Sequence, residues 1–219
     1  MERTITVRGT GSFKARPDAV RIRFTLISRD RDYAKAMELA GEREKQMADA
    51  LASVEISKQD MKTSKFSIDV EKKRIDRHGV SEYVFSCYAV RQDFALLIDF
   101  DSKRLGKMMS AISVSCADPN MSVEFTVRDK DAARRAILAS AAKDATVSAK
   151  TLCAELGVRL GRLVSVKYDW TEIDVYSRTD YGMGGECAEI CESAPDIEPE
   201  DVEASDSAQF EWEILERDM

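Results

Sequence analysis

Two thiols four residues apart, Cys187 and Cys191 in the stretch ECAEIC, come nearer to a reactive pair than anything else in this chain. At that spacing two cysteines share one helical face and can join a metal site or close a disulfide. Structural zinc takes four ligands in short paired spacings, and the sole histidine, His78, stands far away in KKRIDRHGVSE. The expectation is incidental thiols, with a thiol redox role as a further alternative. A cysteine–histidine nucleophile would need His78 beside a thiol, and no spacing brings them together. The other thiols, Cys87, Cys116 and Cys153, fall in apolar patterns and read as small core residues. No serine sits in a G-x-S-x-G elbow.

The stretch VRGTGSFKARPDAVRIRF offers a second chemistry, a glycine loop around a phosphate. A dinucleotide fingerprint needs a third glycine and a following helix. Lys14 stands where that glycine would, and an alternating strand follows, so no helix dipole meets an anion. Gly9 and Gly11 are read instead as a bend or bulge between strands. Arginines 16, 21, 23, 29 and 31 form one basic cluster, and Lys72, Lys73, Arg74 and Arg77 form another. Interspersed acids make these salt-bridged sheet faces, the sharper alternative being a site for a small anionic ligand. No catalytic, cofactor-binding or metal-binding residue is assigned, no cofactor is expected, and the chain is read as a non-enzyme.

The elements that position these residues follow from periodicity. Val20, Ile22, Phe24 and Leu26 alternate with Arg21, Arg23 and Thr25, a half-buried strand. Tyr33, Met37, Ala40, Met47, Leu51 and Val54 make one helical stripe over about 32–54, started by Asp30 or Asp32. Two strands, about 61–75 and 82–99, read as a long hairpin. A helix at 102–115, a strand at 122–127 and an alanine-rich helix at 131–156 follow. In the last, Ala133, Ala136, Ala141, Ala145 and Ala149 allow close approach to a sheet, and Gly157 ends it. A strand at 162–175 comes next. A long mobile connection at about 176–204 leads to a final strand, SAQFEWEIL, expected to pair beside 162–175. The fold class is α+β, an antiparallel or mixed sheet with helices packed on one face, in the order ββαββ-αβαββ.

The 219 residues carry a net charge of -7, which argues against a general nucleic-acid binder. From Glu186 onward thirteen acids face one base, Arg217, leaving the rest at +5. That asymmetry is read as self-complementary within the fold. No stretch has the ~20 apolar residues of a membrane helix. MERTITVRGT has no apolar signal core. The cytoplasm is therefore expected, or export if a leader has been removed, and an odd cysteine count fits a reducing compartment.

Three stretches together resemble the SIMPL-domain family (the domain of unknown function 541, or YggE-like proteins). The opening, with Val7, Gly9, Gly11, Pro17 and Asp18, resembles the family's first two strands. DKDAARRAILASAAKDATVSAKTLCAELG resembles its alanine-rich helix, with Ala141, Asp144, Ala145, Ala149, Leu152, Leu156 and Gly157 in place. IEPEDVEASDSAQFEWEIL resembles its closing strand. The resemblance implies a single α+β domain over 1–219 and carries over no catalytic residues. It implies a bacterial protein of a family whose members are often exported, in some cases tied to oxidative-stress tolerance, and able to self-associate. A homo-oligomer or a protein partner is therefore expected, with the helix stripe 33–54 and free strand edges as the physical means.

Overall fold

The computed structural model describes residues 3–77, 80–115, 117, 119–169, 175–183 and 198–216. In chain order its elements are β1 (Thr4–Ala15), β2 (Ala19–Asp30), α1 (Tyr33–Ala52), β3 (Lys62–Arg77), β4 (Val80–Asp99), α2 (Ser102–Val114), β5 (Asn120–Thr126), α3 (Lys130–Glu155), β6 (Arg159–Lys167), β7 (Tyr176–Met183) and β8 (Val202–Leu215). The class is α+β as expected. The strands form two sheets, β1-β8-β6 and β3-β4-β2-β5-β7, rather than one. The expected order gains a strand, because β7 and the start of β8 occupy parts of the stretch read as a connection. Tyr176, in β7, is anchored by the Lys130 ammonium, which donates to its hydroxyl at 3.1 Å and lies 4.2 Å from its ring centre. That contact is set by residues 46 apart and has no local sequence signature.

Two compact units result. One gathers 1–18, 126–178 and 200–219. In it β1 pairs antiparallel with β8 in unbroken register from Thr4↔Glu213 to Ala15↔Val202. β6 pairs with the other side of β8, as the closing strand's expected place requires. Helix α3 is capped by the Asp129 carboxylate, which accepts the Ala132 N–H. It turns Ala133, Ile137, Ala141, Ala145, Ala149 and Cys153 inward, one residue in four. Ala136 does not belong to this row and is exposed.

Gly9 and Gly11 correct the sequence reading. They are not a bend. They lie mid-strand in β1 opposite Ala208 and Asp206, on the face that meets α3. A Cβ on Gly9 would stand 2.1 Å from the Ala141 carbonyl oxygen, and one on Gly11 1.9 Å from that of Ile137. Only glycine lets the helix backbone approach so closely. Asp144 of α3 accepts the Thr10 N–H at 2.9 Å, satisfying a donor on this edge strand. Beyond β1, Pro17 lacks an N–H and the chain leaves the sheet. There Asp18 accepts the Arg128 N–H at 2.7 Å and donates its own to the Thr126 carbonyl.

The other unit holds 19–125 and 179–199. β2 pairs with β4 from Ala19↔Asp99 to Asp30↔Tyr88, and β3 forms the expected hairpin with β4. Val20, Ile22, Phe24 and Leu26 of β2 join Phe94, Leu96 and Ile98 of β4 on one face. Met47 and Leu51 of α1 and Leu105, Met108 and Ile112 of α2 close over them. The α1 stripe is therefore core along most of its length, with Tyr33 left half-exposed.

Candidate functional site

The surface that stands out is the outer part of the β3–β4 hairpin. β4 pairs with β2 only from Tyr88 onward, so Val80–Cys87 has β3 as its sole described neighbour. A two-stranded ribbon alone is marginal in water. This one carries large apolar side chains: Tyr83 is 70% exposed, Phe85 48% and Val70 52%. A register shift between Glu71 and Lys72 adds Ser86 to β4 as a bulge. Strict alternation would place Phe85 on the face opposite Tyr88. The bulge reverses that, and the Phe85 and Tyr88 rings meet edge-on at 5.2 Å. Tyr88 in turn meets Tyr33 of α1 edge-on at 5.7 Å. An aromatic row thus continues the small buried cluster of Ala36, Ala40 and Val90 outward onto the ribbon. Sequence reasoning missed it because alternation alone separates these rings.

Three members of the basic clusters are held by carboxylates. Arg23 pairs with Glu124, and the Arg29 Nε lies 3.0 Å from both oxygens of Glu71. Arg74 pairs with Asp76 at 3.7 Å and donates to Ser81 Oγ at 2.6 Å. The guanidinium of Arg29 holds the Glu71 carboxyl below the usual carboxylate range, against a smaller opposing effect of burial. The acids of the last segment also find bases in their own unit: Lys14–Glu203 at 2.7 Å, Arg162–Glu213 at 2.7 Å and Arg3–Glu216 at 2.9 Å. The charge asymmetry is self-complementary there.

On the face of the larger sheet away from α1 and α2 lies a depression of about 330 Å³, lined in part by Arg23, Thr25, Ser64, Asp93 and Ser122. Its polar groups already serve one another: Thr25 Oγ1 donates to Asp93 at 2.7 Å and Ser64 Oγ to the Asp93 carbonyl at 3.1 Å.

Cys153 is buried in the row beneath α3. Cys87 is half-buried rather than core, its thiol 3.6 Å from Glu71 Oε2. His78, Cys116, Cys187 and Cys191 lie outside the described residues. Among the described residues no group of three or more His, Cys, Asp and Glu could hold a metal ion. No described helix is long and apolar enough to cross a membrane.

A model of the SIMPL family, described as a protein of unknown function (DUF541), matches residues 5–212. That span runs through both compact units. No curated protein matches the chain.

Proposed function

The chain belongs to the SIMPL family, and from that premise we propose that it works by protein–protein contact, assembling with copies of itself instead of turning over a substrate. The observation that carries this is the hairpin ribbon, where exposed aromatic and β-branched side chains sit on strands whose outer edges have no partner among the described residues. Such surfaces gain free energy by being covered. The two compact units act as one domain in this reading, since the family match runs across both. A bacterial protein of the cytoplasm, or of the envelope after loss of a leader, with a part in stress tolerance, is the setting the reading assumes. The small-anion alternative rests on the sequence clusters alone, because Arg23, Arg29 and Arg74 already hold carboxylates.

Light scattering coupled to size-exclusion chromatography tests the reading. A discrete multiple of 24.5 kDa, stable on dilution, is expected. A monomer at every concentration overturns it, as would a reproducible hydrolase or redox activity abolished by one substitution.

A further inference from the structure

We propose that two copies of the chain join edge to edge through β3, antiparallel and centred on Ile68, to make one continuous sheet. This rests on the self-assembly reading above and specifies its interface. Among the described residues β3 is an outer strand of the five-stranded sheet, hydrogen-bonded to β4 on one side only. Its pairing shifts register between Thr63 and Lys65 and again between Glu71 and Lys72. Between those irregularities the segment KFSIDVE, Lys65 to Glu71, keeps one unbroken register with β4, the part of the edge a second strand can follow.

Symmetry restricts how it can be followed. Two neighbouring antiparallel strands exchanged by a two-fold axis need that axis normal to the sheet, so one residue must face its own copy. Residues equally far before and after the centre then stand opposite each other, on one face. Ile68 packs with Ala36, Ala40 and Val90 on the helix side, and Phe66 and Val70 share its face. Lys65, Ser67, Asp69 and Glu71 point the other way, where Glu71 meets Arg29.

With the centre at Ile68, Phe66 faces Val70 of the second copy, and Ile68 faces Ile68. On the other face Lys65 meets Glu71, and Ser67 meets Asp69. Phe66 and Val70, 49% and 52% exposed, bury each other. Lys65 gains a carboxylate where the described residues give it none, and Glu71 has acceptor sites left beside Arg29. Within this segment, moving the centre to Asp69 sets Asp69 against Asp69. Moving it to Val70 sets Asp69 against Glu71. Like charges directly opposite are destabilising. Lysines on an edge ordinarily repel a second strand; at this centre Lys65 meets a carboxylate instead, and Phe66 and Val70, the two most exposed apolar side chains of the segment, cover each other.

The test uses the full chain. Val70→Lys places an ammonium opposite Phe66 and Lys65→Glu places one acid against another. Each is expected to weaken dimerisation about tenfold or more, with unchanged circular dichroism because both side chains are exposed. Ile68→Cys, treated with a short bis-maleimide, is expected to give a covalent dimer that wild type does not. A wild-type monomer, or a strictly odd-numbered assembly, overturns the proposal. An assembly unmoved by Val70→Lys and not cross-linked through position 68 also overturns it, while leaving the self-assembly reading in force.

Discussion

The two compact units solve the same problem, a helix lying on a sheet, by opposite means. In the larger unit the space between is filled by bulk: Phe24, Phe94 and Phe125 are 0–1% exposed among Ile22, Leu96, Leu105 and Met108. In the smaller unit much of that space does not exist. Alanines from α3 meet glycines on β1, and backbone lies against backbone. A core made of bulk is vulnerable to cavities and has side chains that can relax. A seam made of glycine is vulnerable to any added atom, because its neighbours are carbonyl oxygens that cannot rotate away.

Deleting bulk gives the largest effect. Phe24→Ala is expected to lower stability by about 4 kcal/mol in urea denaturation, the cost of lost burial plus a partly collapsed cavity. A loss below about 1 kcal/mol would mean that the larger unit repacks freely. Adding one methyl to the seam comes next. Gly11→Ala is expected to cost about 3 kcal/mol, high for so small a change, since its Cβ would lie 1.9 Å from the Ile137 oxygen. Gly157→Ala separates close approach from backbone strain. Gly157 has open space around it and a φ of +69°, so its cost is the left-handed conformation, about 1 kcal/mol. If the two glycine variants lose equal stability, packing is not what requires Gly11.

These contrasts also show what the sequence could reveal. Helix α1 begins beside Asp32 and the β3–β4 hairpin forms as periodicity requires, because caps and alternation act over a few residues. The glycine pair in β1 departs from the sequence expectation for the same reason. Locally, glycine in a strand means freedom to bend; its use here is set by Ile137 and Ala141, more than a hundred residues away. Dividing one expected sheet into two likewise depends on β1 choosing β8 over its neighbour β2. At the ribbon, one bulge residue, Ser86, turned two aromatic side chains to the other face, and a period-two pattern carries no sign of that. The resemblance to the family reached the seam indirectly: Asp144, one of its matched positions, is the residue that accepts the Thr10 N–H. Asp144→Ala is expected to cost about 1 kcal/mol, as for a single exposed hydrogen bond. Asp144→Asn, which keeps an acceptor, should restore most of it.

Electrostatic differences between the two units are the smallest. Each unit has a carboxyl held below its ordinary value of 4.5: Glu71 by hydrogen bonds from Arg29, and Glu203 by one from Lys14. The direction fixes the sign. A carboxyl whose value falls on folding adds stability above the unfolded value, and that stability fades as pH drops through the lowered folded one, because the unfolded chain takes up protons first. Wild type should therefore lose slightly more stability between pH 6 and pH 3 than Glu71→Gln or Glu203→Gln. Glu71 is 41% exposed, so solvent screening limits its share to about 0.5 kcal/mol. Glu203 is slightly more exposed, at 48%, and added salt should close its gap first. Parallel wild-type and Glu71→Gln curves would show that the Arg29 pair stabilises nothing in the monomer. Its carboxylate would then be fully available to a lysine from a second copy, and the same titration repeated at assembling concentrations should recover the acid-sensitive difference.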